Sequence, residues 1–211
     1  LKESELLALR GGGIAIGHTR YSTAGSSSLE NAQPVLARSR VGHIALAHNG
    51  NLTNALDLRD TLEAQGAIFQ STMDSEVIVH RIARSTAATP EARVAEALYG
   101  VEGAYCLLIV IGNTLVAARD PRGWRPLVMG RLGDATIFAS ETCALDIVGA
   151  TYVRDIEPGE VLAVDATGVR TDFPLPRRPI TRCVFEHVYF ARPDSRIFDG
   201  SVSQAVSYTH L

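Results

Sequence analysis

Residues 104–119 read AYCLLIVIGNTLVAAR, two apolar runs with Gly112 and Asn113 between them. Short apolar runs rich in Ile, Val and Leu and bounded by glycine-containing turns predict strands. The pattern continues downstream, where 127–130 and 136–139 read as strands, 141–148 as a helix, and 161–164 with 169–173 as a hairpin around 165–168. Upstream the period changes to 3.6: Leu56 and Leu62 sit on one face of a helix starting near Thr53, Val77, Ile78, Ile82 and Ala83 recur over 74–83, and 91–98 makes a third helix. Further upstream, 34–37 and 43–47 predict two strands around a turn at 39–42, and 14–19 predicts a short buried strand that opens into a polar loop at 20–33. Residues 1–10 have helical spacing and stop at Gly11-Gly12-Gly13. Strands at both ends, helices gathered between them and no regular βαβ alternation define an α+β chain with antiparallel sheets, not a doubly wound one.

The composition narrows the function. The chain has 211 residues, 46% of them hydrophobic, enough for a large buried core. Its net charge of −3, with Lys and Arg dispersed among Asp and Glu, offers no basic stripe for a nucleic-acid backbone. No apolar run approaches the roughly 20 residues that cross a bilayer and no signal-peptide pattern opens the chain, so a cytoplasmic location is expected. Cys106, Cys143 and Cys183 are an odd, widely spaced set, which argues against both a disulfide framework and a zinc site within this segment. Residues 174–179 carry three prolines and two arginines and read as a linker or the exit from the domain.

Three short segments carry chemistry. Gly17-His18-Thr19-Arg20-Tyr21-Ser22-Thr23 delivers an arginine and hydroxyls into a loop, and a guanidinium can grip a carboxylate with two parallel hydrogen bonds. Taken alone, the same segment also suits a solvated surface loop. Ala47-His48-Asn49-Gly50-Asn51-Leu52 places a side-chain amide beside a glycine N–H, a donor pair suited to an oxyanion, although Asn-Gly is also the commonest hairpin dipeptide. Thr72-Met73-Asp74-Ser75-Glu76 presents a carboxylate where helix capping by Asp74 or Thr72 is the plainer alternative. Together they supply a carboxylate clamp, an oxyanion hole and a partner for an ammonium. A free amino acid with a reactive side-chain carbonyl needs all three, and glutamine fits.

The blocks GHTRYSTAGSSSLENAQPV (17–35), HNGNL (48–52) and TMDSEV (72–77) resemble, in order and spacing, the glutaminase domain of the glutamine phosphoribosylpyrophosphate amidotransferase family, a class II glutamine amidotransferase family. ARDPRGWRPLVMG (118–130), ASETCALDIVGATYVRDIEPGEV (139–161) and VFEHVYFARPDS (184–195) resemble the same family. Tyr21-Ser22-Thr23 and Asn31-Ala32-Gln33-Pro34 favour it over the sugar-phosphate aminotransferase relatives, whose stretches usually read TRWATHG and NAHPH.

That resemblance implies the four-layer αββα sandwich of N-terminal nucleophile hydrolases, here expected to be incomplete at its N-terminus. It implies a truncated amidotransferase domain over 1–180, the start of a connection to a phosphoribosyltransferase domain over 181–205, and a non-native tail over 206–211. Arg20 would hold the glutamine α-carboxylate, Asp74 the α-ammonium, Thr23 would help line the pocket, and Asn49 with the Gly50 N–H would stabilise the tetrahedral oxyanion. The family nucleophile is an N-terminal cysteine whose own α-amine serves as base. Residue 1 here is Leu, so this stretch by itself is expected to be inactive. Cys106 and Cys143 read as structural, whereas Cys183 stands where iron–sulfur-containing members carry one of four cluster ligands. No cofactor is expected within 1–211, magnesium is expected in the phosphoribosyltransferase domain, and a cluster in the whole enzyme stays open. The implied partners are L-glutamine and phosphoribosyl pyrophosphate, in an enzyme that assembles as a homo-oligomer. A glutamine-binding regulatory module without catalysis, or the glutaminase domain of another class II amidotransferase, are the alternatives.

Overall fold

The structure, a computed structural model, describes residues 11–19, 29–198 and 200–208. Its largest sheet holds β1 (Val35–Ser39), β2 (Gly42–Leu52), β3 (Gly103–Ile111), β4 (Thr114–Arg119), β8 (Val161–Asp165) and β9 (Gly168–Asp172), hydrogen-bonded in that order. A second sheet has the order β6-β5-β7, from β5 (Val128–Leu132), β6 (Ala135–Ala139) and β7 (Thr151–Asp155). All the pairings are antiparallel.

Side chains alternate across the sheet, and that alternation explains why the central strands are apolar throughout. Leu107, Ile109, Val116 and Ala163 face a core filled by α1 (Ala55–Ala64), α2 (Glu76–Arg84) and α3 (Pro90–Leu98). Their neighbours Cys106, Leu108, Ala117 and Leu162 face the second sheet, where Met129, Phe138 and Ile156 meet them. The far side of that second sheet packs Val128, Ile137 and Ala139 on Leu145 of α4 (Thr142–Val148). Helices, sheet, sheet and helix are four layers in the order αββα, the expected architecture. Burying a Leu or Ile in such layers contributes about 1.5–3 kcal/mol each.

Local signals place the helices. Pro90 at the first turn of α3 follows Thr89, whose hydroxyl accepts the Ala92 N–H. α4 ends at Gly149, whose φ of 71° lets the chain turn back into β7. β7 was not evident from periodicity: Thr151, Tyr152 and Val153 are all exposed, so no apolar face marks them, and only pairing with β5 makes the segment a strand.

Residues 14–19 depart from expectation. They are extended but belong to no strand, and they alternate between half-buried and exposed. A short apolar stretch becomes a strand only where a neighbour offers a ladder, and β1 pairs with β2 alone among the described residues. The expected helix end at 1–10 lies outside the described residues. From the proline-rich stretch onward the chain stays against the sandwich: Leu175, between Pro174 and Pro176, is buried among the helix-side core residues, and the Thr181 and Cys183 N–H groups donate to the carbonyls of Arg122 and Trp124 at 2.8 and 3.2 Å. It then passes through a π-helical turn at Glu186–Phe190, the small ribbon β10 (Arg196–Ile197) with β11 (Gly200–Ser201), and the helix α5 (Val202–Tyr208).

Candidate functional site

A cavity of about 610 Å³ opens where the C-terminal end of β2, the loop before α2 and the chain at 17–19 come together. Asn49 and Gly50 lie inside β2, paired with Cys106 and Tyr105 of β3, so this Asn-Gly is not a hairpin turn. Gly50 has φ of 149°, and a Cβ there would lie 2.1 Å from the Ala104 carbonyl oxygen and 2.9 Å from His48 Nε2. Only a residue without a side chain fits that approach. Both Asn49 and Gly50 line the cavity, and the Asn49 amide donates to Ser140 Oγ at 3.5 Å.

Asp74 reaches the same cavity from the loop before α2. Its Oδ2 accepts the Leu52 N–H at 2.8 Å, and its Oδ1 lies 3.4 Å from Nδ1 of the buried His48. Burial pushes this carboxyl up. The contact with His48 and the N–H groups of Leu52 and Ser75 outweigh that push, so the group is held below its ordinary value and stays ionised. Each carboxylate oxygen has two lone pairs, so Asp74 retains acceptor capacity toward the cavity. It is not a helix cap, and neither is Thr72: the residue before α2 is Ser75, which makes no side-chain cap bond.

Other polar side chains stitch the loops together. The buried Asn31 donates to Thr72 Oγ1 and accepts the Thr72 N–H, both at 3.0 Å. Two residues on, Gln33 Oε1 accepts the His48 N–H at 2.6 Å. Glu76 accepts the N–H groups of Gln70 and Ser71 and the Ser71 hydroxyl, which holds the turn that presents Asp74. These bonds join three sequence-distant segments into one rim.

The structure also brings in residues that sequence reasoning did not assign to the site: Arg59, Arg125, Ser140, Glu141, Glu186 and Phe190 line the cavity. Several fall in the blocks that resembled the amidotransferase family, which was the available signal. The block at 119–126 shows how it works. Buried Asp120 accepts the N–H groups of Tyr105, Arg122 and Trp124, while buried Arg119 donates to the carbonyls of Gly123, Arg125 and Ile156. Those bonds fold the loop that points Arg125 at the cavity, where Arg125 pairs with Glu186 and stacks over the Phe190 ring at 4.4 Å.

Of the predicted clamp residues, Arg20 and Thr23 lie outside the described residues, whereas the preceding Gly17, His18 and Thr19 line the cavity. Cys106, Cys143 and Cys183 are not among the cavity-lining residues. Burial pushes the Cys106 and Cys143 thiols up, against the activation a nucleophile needs. Cys183 is half-buried and free. Among the described residues no group of three or more His, Cys, Asp or Glu side chains is placed to hold a metal ion. Among the same residues no helix is long and apolar enough to cross a membrane.

An αββα sandwich with Asn49, Gly50 and the ionised Asp74 lining one cavity defines a class, and comparison with known proteins agrees. Residues 18–146 match the glutamine amidotransferase domain family, and the chain belongs to it. Amidophosphoribosyltransferase 2, chloroplastic, of Arabidopsis thaliana is 50% identical over 195 residues, which cover 92% of this chain and 35% of that protein. The amidophosphoribosyltransferase of Bacillus subtilis is 47% identical over 200 residues, covering 94% of this chain and 42% of that protein. The solved glutamine phosphoribosylpyrophosphate amidotransferase from B. subtilis, in complex with ADP and GMP, superposes with a TM-score of 0.83 at 44% identity, covering 89% of this chain and 41% of that one. The chain thus spans about two-fifths of the relatives it matches.

Proposed function

We propose that this chain is the glutamine-hydrolysing part of an amidophosphoribosyltransferase, which releases ammonia from glutamine and transfers it to phosphoribosyl pyrophosphate to form phosphoribosylamine in purine synthesis. The observation that carries the reading is the convergence of Asn49, Gly50 and Asp74 on one cavity, in a chain half identical to enzymes of that name. In this reading Asp74 takes the glutamine α-ammonium, Arg20 its α-carboxylate, and Thr23 helps line the pocket. The side-chain amide then lies toward Asn49 and Gly50. A cysteine thiol passes its proton to its own α-amine and attacks the amide carbon as thiolate, the oxygen becomes an oxyanion held by the Asn49 amide and the Gly50 N–H, and as the thioester forms ammonia leaves with the proton the α-amine returns. Water then cleaves the thioester to glutamate. The thiol is not Cys106, Cys143 or Cys183, none of which lines the cavity.

Ammonia then attacks C1 of phosphoribosyl pyrophosphate and displaces pyrophosphate, which is the work of a second domain. The test is an assay of the full-length enzyme for glutamate release and phosphoribosylamine formation. One glutamate per amine formed is the expected result. Tight glutamine binding with no glutamate release would replace this reading with that of a glutamine-binding module.

A further inference from the structure

We propose that Arg125 and Glu186 are positioning residues, whose ion pair docks the π-helical turn Glu186–Phe190 onto the rim of the glutamine cavity and so sets affinity for that substrate. The inference rests on the functional reading above for the identity of the substrate. Its structural half stands on three observations.

The first is where the turn meets the sandwich. Val184, Phe185, Val188 and Tyr189 are 60–65% exposed, whereas Glu186 is only 3% exposed. Among the described residues Glu186 is thus the buried side chain through which the turn meets the sandwich, and its partner there is Arg125. The second is the geometry: Arg125 pairs with Glu186 and stacks on Phe190, so one guanidinium holds both turn residues that line the cavity. The third is how each partner is held. Arg125 stands on the loop that Arg119 and Asp120 pin from below. The turn itself closes with an i to i+5 bond from the Ala191 N–H to the Glu186 carbonyl at 2.9 Å, a rare form of helix that occurs mostly as a single turn and often at functional sites.

Glu141 fixes the other end of the same segment. Its Oε2 accepts the Arg192 N–H and the Ser195 hydroxyl, each at 2.8 Å. It also lines the cavity beside Ser140, the acceptor of the Asn49 amide. With Arg125–Glu186 broken, the segment hinges on Glu141 and the rim at Glu186 and Phe190 swings away from bound substrate. Substrate is then held less tightly, while the machinery on β2 is left intact.

The experiment uses the full-length enzyme with Arg125→Met, Glu186→Gln, and the charge-swapped double variant Arg125→Glu/Glu186→Arg. Each single variant is expected to raise KM for glutamine about ten-fold with kcat changed less than about three-fold, the pattern of lost ground-state binding. The swap is expected to recover part of the loss. Amine formation supported by added ammonia, which bypasses glutamine, stays at the wild-type rate, and hydrogen exchange shows loss of protection at the Ala191 amide. Unchanged KM in both single variants, or an equal loss of the ammonia-supported rate, overturns the proposal. If the wild-type enzyme releases no glutamate, the functional reading falls instead, and exchange at Ala191 still reports whether the pair holds the turn: unchanged protection in Glu186→Gln overturns that too.

Discussion

The Asp74 carboxylate accepts the backbone N–H of Leu52 at 2.8 Å and so ties the loop before α2 to β2, two residues beyond Gly50. One side chain therefore fixes the distance between the proposed ammonium site and the proposed oxyanion site. Asp74→Asn removes the charge and keeps the shape. KM for glutamine in the full-length enzyme should rise at least about ten-fold, since a charged hydrogen bond contributes about 1.5–3 kcal/mol. A variant with wild-type KM would remove Asp74 from the ammonium site.

The same residue makes a prediction in pH. Its folded-state pKa lies below the ordinary 3.8, so the stability it contributes is complete above the unfolded value and is lost as pH falls through the folded one. Between pH 5 and pH 8 Asp74 stays ionised. Asp74→Asn should therefore shift KM by the same factor throughout that range, and a factor that shrinks toward pH 5 would contradict the assignment.

Removing the proposed oxyanion donor should act on the chemical step. Asn49→Ala is expected to lower kcat for glutamate release by about 10²–10³ and to leave KM within a few-fold. The ammonia-supported reaction should be unaffected. Loss confined to KM would mean that Asn49 binds substrate without stabilising the transition state.

Gly50→Ala tests the strand itself. The added methyl group would meet the Ala104 carbonyl at 2.1 Å, so β2 and β3 must separate locally. A destabilisation of about 2–4 kcal/mol is expected, read from the urea midpoint, along with loss of glutamine hydrolysis. Leu162→Ala, between the two sheets, should cost about 2–5 kcal/mol with KM for glutamine little changed, because the cavity it leaves lies among Ala117, Met129 and Ile156.

Thiol chemistry separates the cysteines. Buried Cys106, its thiol pushed up by burial, should resist alkylation in the native protein, while half-buried Cys183 reacts. Labelling of Cys106 under native conditions, detected by mass spectrometry, would show that the space between the sheets opens.

Much of the fold was legible because its elements announce themselves locally. The runs that became β3 and β4 are apolar on both faces, since both faces are covered, and the 3.6-residue spacing of Val77, Ile78 and Ile82 marked α2. β7, which the apolar period does not mark, and 14–19, which reads as a strand and belongs to none, share one reason: strand identity depends on a partner elsewhere in the chain.

By itself the sequence determined the α+β class, the helices, most strands and the residues of three motifs, because backbone period and short motifs are local properties. Only the tertiary structure decided that Asn49-Gly50 lies within a strand, that Asp74 binds Leu52 and caps no helix, and that Arg125, Glu141 and Glu186 share their cavity. Those relationships rest on hydrogen bonds and ion pairs between residues 22 to 91 positions apart, and the layering of the sheets, not spacing along the chain, brings them together.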